Sequence, residues 1–597
     1  MSQGLSGSRL WLALVVAVFC VPLFFNLGRA DTRDDEAIYS FAVDRLLETG
    51  DWLEPKSIPN DDWVFLEKPP LKFWIVAAPI RLGVLPDNEF GRRFWDALFG
   101  ALAFVYFYLI GCRLIGPACG AIAVLVLFVH EPLLIAHGLR SNNMEGPLFL
   151  AYCGGMYHFM AWAQLRSGRH ALAAGLYFTL GFMTKFVAAL FLPLVAGIVG
   201  LGAPSVRKRL VADWKTWLAV SAVVAALVLP WFVWAHLKFG DFFWETIFGA
   251  AVVTRFTEFL DPTHLQPWHF YWTTIWARLN DAHITWLAAA GVVTLAVQSF
   301  LRRWVDGALV LLWFVLPLAL ISTGTSKLYH YAYPFLPPLA LAVGYLCGLL
   351  LALGPMILGR LVRWVEVRKP FSSQALHAGP VRTALLAIAM IATGVAIYTV
   401  VFGPLRISMD GRDVFRSSGV FRPLLLVVIA SLLTGATRGA VPVIVAVLVV
   451  SLLPLPAYRQ LLVRLGSETS PIRAARDCIQ RVQQASGGPG IHVSTGRGEL
   501  PYPMYYSFRH VRPMVFAEAP GPDDLATFLR DPDSRWPILA TEESYQAFRY
   551  SAARESFQAP GVAAYRDLGK DMVLLLPGPY AACEIEVAAE RPVTATR

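Results

Sequence analysis

The chain has 597 residues, of which 56% are hydrophobic and 16% are charged, and its mean hydropathy is +0.53. Soluble globular domains carry about 25% charged residues, so the composition excludes a soluble protein and indicates a polytopic membrane protein. The net charge of +9 does not indicate nucleic-acid binding, because the basic residues are spread over loops that flank apolar segments, where the topology of membrane proteins already explains them.

About thirteen apolar stretches are long enough to cross a bilayer as helices, which takes roughly 20 residues each. The short pairs around Lys185 and around Arg438 leave an alternative open, since one long or re-entrant segment could replace two spans. The predicted spans lie near residues 9–28, 92–111, 116–136, 144–164, 169–184, 186–203, 216–237, 282–300, 305–322, 331–354, 381–402, 422–436 and 438–455.

The distribution of Lys and Arg predicts the orientation of these spans, because loops on the cytoplasmic side carry an excess of both. With a cytoplasmic amino terminus, the basic loops 207–209, 302–303 and 360–382 all face the cytoplasm. The acidic stretch 31–68 then faces outside, and loop 403–421 is an exception because it is basic although it should also face outside. The first span lacks a small-residue cleavage signature and is predicted to be an anchor.

The pattern changes near residue 466, where short alternating segments replace the long apolar runs. It predicts helices at 471–485, 522–530 and near 542–550, and strands near 490–494, 512–516, 536–540, 561–567 and 571–576. We therefore predict a transmembrane domain at 1–456, with an extracytoplasmic loop at 29–91, and an extracytoplasmic α/β domain at 457–597. Cys478 and Cys583 share this second domain, and a disulfide between them stays open because sequence separation says nothing about distance.

The stretch from Asp31 to Lys68 is unusual because it carries eleven acidic and four basic residues between apolar segments. Asp35 and Glu36 lie just after the first span, where a partly desolvated carboxylate holds a proton more readily and suits general-base work. Lys68 lies before Pro69 and Pro70, which restrict the backbone, and its ammonium is a point charge suited to a phosphate. A solvated loop with excess charge is the alternative interpretation of this stretch.

Other ionisable residues are predicted on the same membrane face, where such residues are costly and often functional. Arg140 and Glu145 lie where the third span turns into the fourth, Lys185 lies between two apolar runs, and the loops at 238–281 and 326–331 add Arg255 and Lys327. One such residue alone would more often be a capping or snorkelling side chain. Four separate loops that supply cations and carboxylates to one face predict a shared cavity for an anionic ligand.

The ordered motifs resemble those of the lipid A aminoarabinose transferase family and, more broadly, of the protein O-mannosyltransferase superfamily. The motifs are Asp35-Glu36 with Tyr39, Gly50-Asp51-Trp52, Glu67-Lys68-Pro69-Pro70-Leu71, Arg92-Arg93, Arg140 with Glu145, Thr184-Lys185, Arg255-Phe256, and Ser326-Lys327-Leu328 with Tyr331 and Pro334. Ile38 stands where the family commonly has Arg, and Glu145 where it has Asp, so the sugar and the acceptor stay open.

The resemblance implies a GT-C-type membrane glycosyltransferase of the cytoplasmic (inner) membrane. It would move a sugar from a polyprenyl-phosphate donor, such as an undecaprenyl phosphate, to a lipid or glycan acceptor outside that membrane, a protein being the less favoured acceptor. A transporter or flippase for an anionic lipid-linked sugar is the alternative, although the chain lacks the internal repeat and the broken midplane helices of transporters.

The transfer needs a base at the acceptor hydroxyl and cations at the departing phosphate. We assign Asp35 as the base, with Glu36 as its substitute. The expected phosphate contacts are Lys68, Lys185, Arg255 and Lys327, and the expected supporting residues are Glu67, Tyr39, Arg140, Glu145 and Tyr331. No cofactor is certain, and a divalent metal held by the carboxylates stays open, although no tight ligand spacing is present.

Overall fold

The structure is a computed structural model and describes most of the chain up to residue 486. The described residues are 9–56, 64–258, 262–368, 379–409, 412–433, 445, 447, 449, 451–486, 491–494, 506, 508, 511, 514–517, 537–541, 563–566, 572–576, 580 and 583. The segments predicted as helices at 522–530 and near 542–550, and the first part of the span predicted at 438–455, lie outside them.

Helices dominate this part of the chain. The α-helices are Val21–Phe24, Asp34–Thr49, Leu71–Arg81, Glu89–Leu114, Pro117–Leu127, Pro132–Ile135, Glu145–Leu165, Gly168–Lys185, Phe191–Gly202, Pro204–Ala212, Trp214–Phe239, Asp241–Trp244, Thr254–Thr257, Phe270–Asp281, Thr285–Leu301, Val305–Ser322, Pro337–Arg368, Gly379–Phe402, Phe421–Leu433, Leu455–Gly466 and Pro471–Ser486. The 3₁₀ segments are Phe186–Leu190, Pro262–His264 and Tyr329–Phe335, and the π-helical segments are Val15–Phe19 and Glu245–Val253.

Local sequence signals explain where several of these helices begin and end. The Asn88 side chain accepts a hydrogen bond from the backbone N–H of Gly91 at 3.1 Å, which caps the helix Glu89–Leu114. Gly50 ends the helix Asp34–Thr49 in the left-handed conformation, with φ 72°. Gly111 and Gly120 let two apolar helices approach so closely that a Cβ on Gly111 would lie 2.4 Å from the Gly120 backbone.

Six helices among the described residues are long and apolar enough to cross a membrane, or seven if the bent pair Phe270–Asp281 and Thr285–Leu301 is one span. Three shorter apolar helices add to these, at Arg9–Phe24, Pro117–Leu127 and Phe421–Ala430. The polytopic membrane architecture is therefore confirmed at this coarse level. The count of thirteen stays a prediction.

The longest apolar run among these, Gly168–Gly202, is not straight. Its helix breaks at Phe186, where φ is +40° and ψ is −107°, and a 3₁₀ turn leads into Phe191–Gly202. Arg166, just before the run, donates to the Asp213 carboxylate, eleven residues after it, at 2.5 Å. Both ends of the run therefore lie on the same side of the membrane domain, and the chain turns back near Lys185.

The carboxyl-terminal part contains a five-stranded sheet in the order Met514–Ala517, Ile491–Ser494, Ile538–Thr541, Met572–Leu576, Ala563–Arg566. The first two pairs are parallel and the last two antiparallel. These strands lie close to the five that the sequence predicts. A disulfide joins Cys478 to Cys583 and answers the question that the spacing left open. An antiparallel hairpin, Leu405–Met409 with Arg412–Ser417, lies in loop 403–421, the loop that is basic although it is predicted to face outside.

This part of the chain docks on the same face as the acidic loop. Arg473 donates to the Gly28 carbonyl at 2.5 Å, and Arg476 pairs with Glu89 at 3.4 Å, at the start of the helix Glu89–Leu114. The Asp31 carboxylate accepts from the Ile472 backbone N–H at 3.2 Å. The helix Pro471–Ser486 therefore lies beside the loops that carry the predicted site residues.

Candidate active site

The helix Asp34–Thr49, called here the first surface helix, is fixed to the membrane helices by buried ion pairs. Arg92 contacts Asp44 and Asp87, and Arg93 contacts Glu36. The helix Leu71–Arg81 is fixed similarly, because the Lys72 ammonium contacts Asp96 and the Asn142 side-chain oxygen, the latter at 2.9 Å. These contacts place both ends of the acidic loop over the ends of the spans.

Glu36 belongs to this framework. Its carboxylate accepts from Arg93 Nε at 2.6 Å, from the second guanidinium nitrogen at 2.9 Å and from the Asn142 backbone N–H at 3.0 Å. The side chain is only 5% exposed. Because a two-pronged arginine contact and a backbone donor occupy its oxygens, Glu36 is held as a structural anion.

Asp35 has a different environment although it is the next residue. Its side chain is 47% exposed, and one carboxylate oxygen lies 3.9 Å from Nδ1 of His137. Burial lowers the pKa of Lys68 and raises that of Tyr331, and the charge of Asp35 adds a smaller upward contribution to both, which places Asp35 near these two side chains. Asp35 is therefore an accessible carboxylate beside the cations described next, which suits the predicted role of base better than Glu36 does.

A cavity near Asp35 brings together three of the four predicted phosphate contacts. Its open space, counted to the mouth, is about 1020 Å³, and Glu67, Lys68, Lys185, Arg255 and Tyr331 all line it. Most of the remaining wall is apolar: Leu148, Phe186, Val187, Ala188, Phe191, Val252, Phe256, Ile321, Pro334 and Phe335. Cations in the wall of a largely apolar cavity suit a ligand with a phosphate and a hydrocarbon chain.

The break in the membrane helix places Lys185. Its ammonium contacts the Glu145 carboxylate and lies 5.4 Å from the centre of the Tyr331 ring. The positive φ of Phe186, the next residue, is costly for a side chain other than glycine and recurs at functional sites. The strained turn therefore ends the helix at the level where its last cation enters the cavity.

Arg255 and Tyr331 form the opposite wall. The Arg255 guanidinium donates to the Tyr331 hydroxyl oxygen and also lies over its ring, 5.7 Å from the centroid. Burial raises the pKa of Tyr331, so its hydroxyl keeps the proton. Because the oxygen already accepts from Arg255, the O–H is left to donate to an anion.

Lys68 is the most deeply placed of the three cations in the cavity, with 8% of the residue exposed. Its ammonium lies 3.8 Å from the Glu67 carboxylate. Burial, and secondarily the charges of Arg255 and Lys185, lower the pKa of Lys68 to about 8, although Glu67 and Asp35 act in the opposite direction. An anion in this cavity would relieve the repulsion among the cations.

Three other predicted residues lie away from the cavity surface. The Lys327 ammonium donates to the carbonyls of Gln266 and Gly324, and thereby joins two loops. Arg140 donates to the Phe25 carbonyl at 2.7 Å and pairs with Glu468 at 3.2 Å. Tyr39 is buried between aromatic rings. The structure thus gives these three side chains supporting positions, and it brings neither cation to the wall of the cavity.

Two histidines near the site are absent from the predicted set. The rings of His137 and His330 stack with centroids 4.7 Å apart, and His330 Nε2 lies 3.7 Å from a Glu145 oxygen. Burial, followed by the nearby cations, lowers the pKa of His330 well below its usual value, so it is neutral at pH 7. The two rings connect Asp35 to the Lys185–Glu145 pair. In the sequence, the signals for them are the position of His137 three residues before Arg140 and that of His330 beside Tyr331.

A second, more polar cavity of about 750 Å³ is lined by His137 together with Arg33, Arg140, Arg464 and Glu468. The proposed base therefore stands next to a histidine that faces this polar cavity. Among the residues that the structure describes, no group of three or more His, Cys, Asp or Glu side chains is arranged to hold a metal ion.

Comparison with known proteins gives a consistent set of relatives. Residues 67–234 match the family model of the dolichyl-phosphate-mannose-protein mannosyltransferases. Undecaprenyl phosphate-alpha-4-amino-4-deoxy-L-arabinose arabinosyl transferase 2 of Pseudomonas fluorescens is 30% identical over 52% of this chain and 51% of its own length. A transferase with the same activity in its name, from Pseudomonas aeruginosa, is 29% identical over 57% of this chain and 60% of its own.

The chain thus spans about half the length of the first of these curated relatives. A solved structure covers more of it: the crystal structure of ArnT from Cupriavidus metallidurans bound to undecaprenyl phosphate aligns with 95% of this chain and 97% of its own, with a TM-score of 0.57 and 18% identity. At that identity the likeness shows the fold. The predicted resemblance is therefore confirmed, and the chain has the GT-C membrane fold and is similar to the aminoarabinose transferases among the polyprenyl-phosphate-dependent glycosyltransferases.

Proposed function

We propose that this chain is a membrane glycosyltransferase that moves a sugar from a polyprenyl-phosphate donor to a lipid or glycan acceptor. The observation that carries the proposal is the convergence of Lys68, Lys185 and Arg255 on one largely apolar cavity, with the accessible carboxylate of Asp35 beside it. The names of the relatives, which include an undecaprenyl-phosphate-linked sugar, support this donor class and not a transport function.

In the proposed reaction the bond between the anomeric carbon and the phosphate oxygen breaks, and the phosphate leaves with the bonding electrons. Lys68, Lys185 and Arg255 stabilise the negative charge that develops on the phosphate. The acceptor hydroxyl forms the new bond to the anomeric carbon and gives its proton to Asp35. Each fixed charge of this kind can contribute on the order of 3 kcal/mol to the transition state.

The acceptor is proposed to approach through the polar cavity behind His137. This cavity is separate from the donor cavity, yet His137 lines it and lies 3.9 Å from Asp35. An acceptor there would meet the base without displacing the hydrocarbon chain of the donor.

We propose that the thirteen predicted spans place this face outside the cytoplasmic membrane, together with a carboxyl-terminal α/β domain from about residue 457. The disulfide between Cys478 and Cys583 supports this orientation, because such bonds persist in oxidising compartments. A reporter fused after Arg382 should then behave as cytoplasmic and one fused after Ser467 as external. The same side for both would contradict the topology.

The function itself is tested by mass spectrometry of envelope glycolipids from cells that make the native chain or the Asp35→Asn variant. The native chain should add the mass of one sugar residue to a glycolipid, and the variant at equal abundance should not. Identical glycolipid profiles in cells with and without the native chain would contradict the proposal.

A further inference from the structure

A third cavity, of about 1220 Å³, lies at the opposite ends of the membrane helices from the donor cavity. It is lined by residues near the end of Glu89–Leu114, near the end of Glu145–Leu165, in Pro204–Ala212 and in the turn before Val305–Ser322. One helix, Glu145–Leu165, reaches both cavities: Leu148 lines the donor cavity and Ala163 lines this one, and fifteen residues of helix at 1.5 Å each separate them by about 22 Å. The two cavities are therefore separated by most of the roughly 30 Å thickness of the hydrocarbon core of a bilayer.

The lining of this cavity is strongly basic. Four arginines line it, Arg113, Arg209, Arg302 and Arg303, and among the described residues that do so Asp306 is the one acid. The Asp306 carboxylate is paired with Arg113 at 3.4 Å. Three arginines thus surround the cavity in excess of its acidic charge.

The nearest other acid does not cancel this excess. Asp213 lies close to Arg209, but its carboxylate is engaged by Arg166, with contacts of 2.5 and 3.4 Å. Nε of Arg113 is buried and has no hydrogen-bond partner among the described residues. A buried donor without a partner is costly, and an anion in the cavity could satisfy it.

The same cavity has an apolar side. Leu114, Ile115, Val305 and Leu349 line it together with the Trp304 and Tyr345 rings, which lie 5.4 Å apart. Tryptophan and tyrosine are enriched where a membrane meets water. A ligand that fits both parts has an anionic head and hydrocarbon chains, whereas a free inorganic anion would use the arginines alone.

We propose that this basic cavity, formed by Arg113, Arg209, Arg302 and Arg303, binds the phosphate headgroup of an anionic phospholipid on the membrane face opposite the donor cavity. Basic pockets between membrane helices are a recurring site for such headgroups. The proposal is independent of the glycosyl transfer. Its physical role is to hold together the helix ends that line the cavity, because one lipid phosphate would contact several of them.

The test uses the purified full chain in detergent with phosphatidylglycerol, phosphatidylcholine or inorganic phosphate added, and native mass spectrometry to count retained lipids. The double variant Arg302→Gln with Arg303→Gln removes two cations from the cavity. The matched control, Arg207→Gln with Lys208→Gln, removes two exposed cations that do not line it. A third chain, Arg302→Lys with Arg303→Lys, keeps the charge.

The native chain should retain phosphatidylglycerol in preference to phosphatidylcholine. The Arg302/Arg303 glutamine variant should bind phosphatidylglycerol about 25-fold more weakly, since each cation near a headgroup contributes about fivefold. The control pair and the lysine variant should stay within a few-fold of the native chain. Equal retention by the glutamine variant, an equal loss in the control pair, or displacement of retained phosphatidylglycerol by inorganic phosphate at equal concentration would each overturn the proposal.

Discussion

Two groups of buried charge lie within the same face of this protein, and they differ in how completely they are neutralised. Beneath the first surface helix, Arg93 is bound by both oxygens of Glu36 and by backbone carbonyls at 2.8 to 3.1 Å. In the donor cavity, Lys68 is 3.8 Å from the Glu67 carboxylate and shares the space with Arg255 and with Lys185, which is paired with Glu145. The first group is complete without a ligand, whereas the second is not.

The comparison shows that charges with similar sequence positions serve two purposes. A buried ion that is fully paired and hydrogen-bonded positions the elements that carry it, and its loss leaves a partner without compensation. A buried cation that faces other cations instead stores an unfavourable interaction that an anionic ligand relieves. Asp35 and Glu36, adjacent in sequence, belong to different sides of this division.

The largest expected effect separates these two carboxylates. Asp35→Asn keeps the shape of the side chain and removes its capacity to accept a proton, so transfer should fall by at least about a hundredfold, the usual effect of losing a general base. Binding of the lipid donor should be retained, because the cavity cations are unchanged. Transfer rates with purified chain and a polyprenyl-phosphate sugar measure this directly.

Glu36→Gln is the matched comparison for Asp35→Asn. It leaves Arg93 buried without its counter-charge, so we expect a lower thermal stability and, in the fraction that stays folded, transfer within about tenfold of the native rate. If Asp35→Asn transfers sugar at the native rate while folded Glu36→Gln is inactive, the two roles are exchanged. If both variants are fully active, the proposed mechanism is wrong.

Substitutions in the ion pairs beneath the first surface helix should mainly lower the thermal stability of the protein. Arg93→Gln removes the guanidinium that holds Glu36 and the carbonyls of Leu27, Ala30 and Asp31. Removing one partner of a buried ion pair typically costs about 3 to 5 kcal/mol, so the melting temperature should fall well below that of the native chain. Arg464→Gln, which breaks the more exposed pair with Glu131, should change it little. Equal melting curves for all three chains would refute the structural role.

The affinity of the donor cavity for its ligand should depend on pH. The pKa of Lys68, which burial lowers to about 8, means that the side chain is charged below pH 8 and loses its proton above it. Donor affinity should therefore be constant below that value and should decline as pH rises through it. In Lys68→Arg the guanidinium stays charged, so the decline should disappear. A native affinity that is flat to about pH 10 would remove Lys68 from the phosphate site.

A smaller effect is expected at His137, which lies beside Asp35 and lines the polar cavity but not the donor cavity. His137→Gln keeps a hydrogen-bonding side chain but removes the stacked ring, so the carboxylate loses part of its positioning. We expect transfer to fall about tenfold with unchanged donor affinity, as measured by the rate at saturating donor. A change in donor affinity alone would place His137 at the phosphate instead.

The sequence predicts the parts of this site that depend on one local signal. The charge-rich ends of the acidic loop, the helix end at Lys185 and the aromatic and basic run from Ser326 all converge as predicted, and the strands of the carboxyl-terminal part lie close to the predicted positions. Apolar periodicity and turn residues are local, so they can be recognised without knowledge of the fold.

The division between supporting and cavity charges could not be predicted, because it depends on contacts between distant segments. Lys327 looks as suitable as Lys68 in the sequence, but its ammonium is used by the carbonyls of Gln266 and Gly324. Arg140 is similarly engaged by Glu468, which is 328 residues away. In the sequence the arginines of the basic cavity at the opposite face indicate only membrane topology, since nothing there shows that five segments meet.

The central claim, that the cation-lined cavity is the donor site, is tested most directly by the affinity of the purified chain for undecaprenyl phosphate. We predict that Lys68→Met combined with Arg255→Gln weakens binding by at least about a hundredfold, because a desolvated phosphate loses two of its three cations. Lys238→Met, which removes a partly exposed cation outside the cavity wall, should bind as the native chain does. Native affinity in a folded double variant would contradict the account.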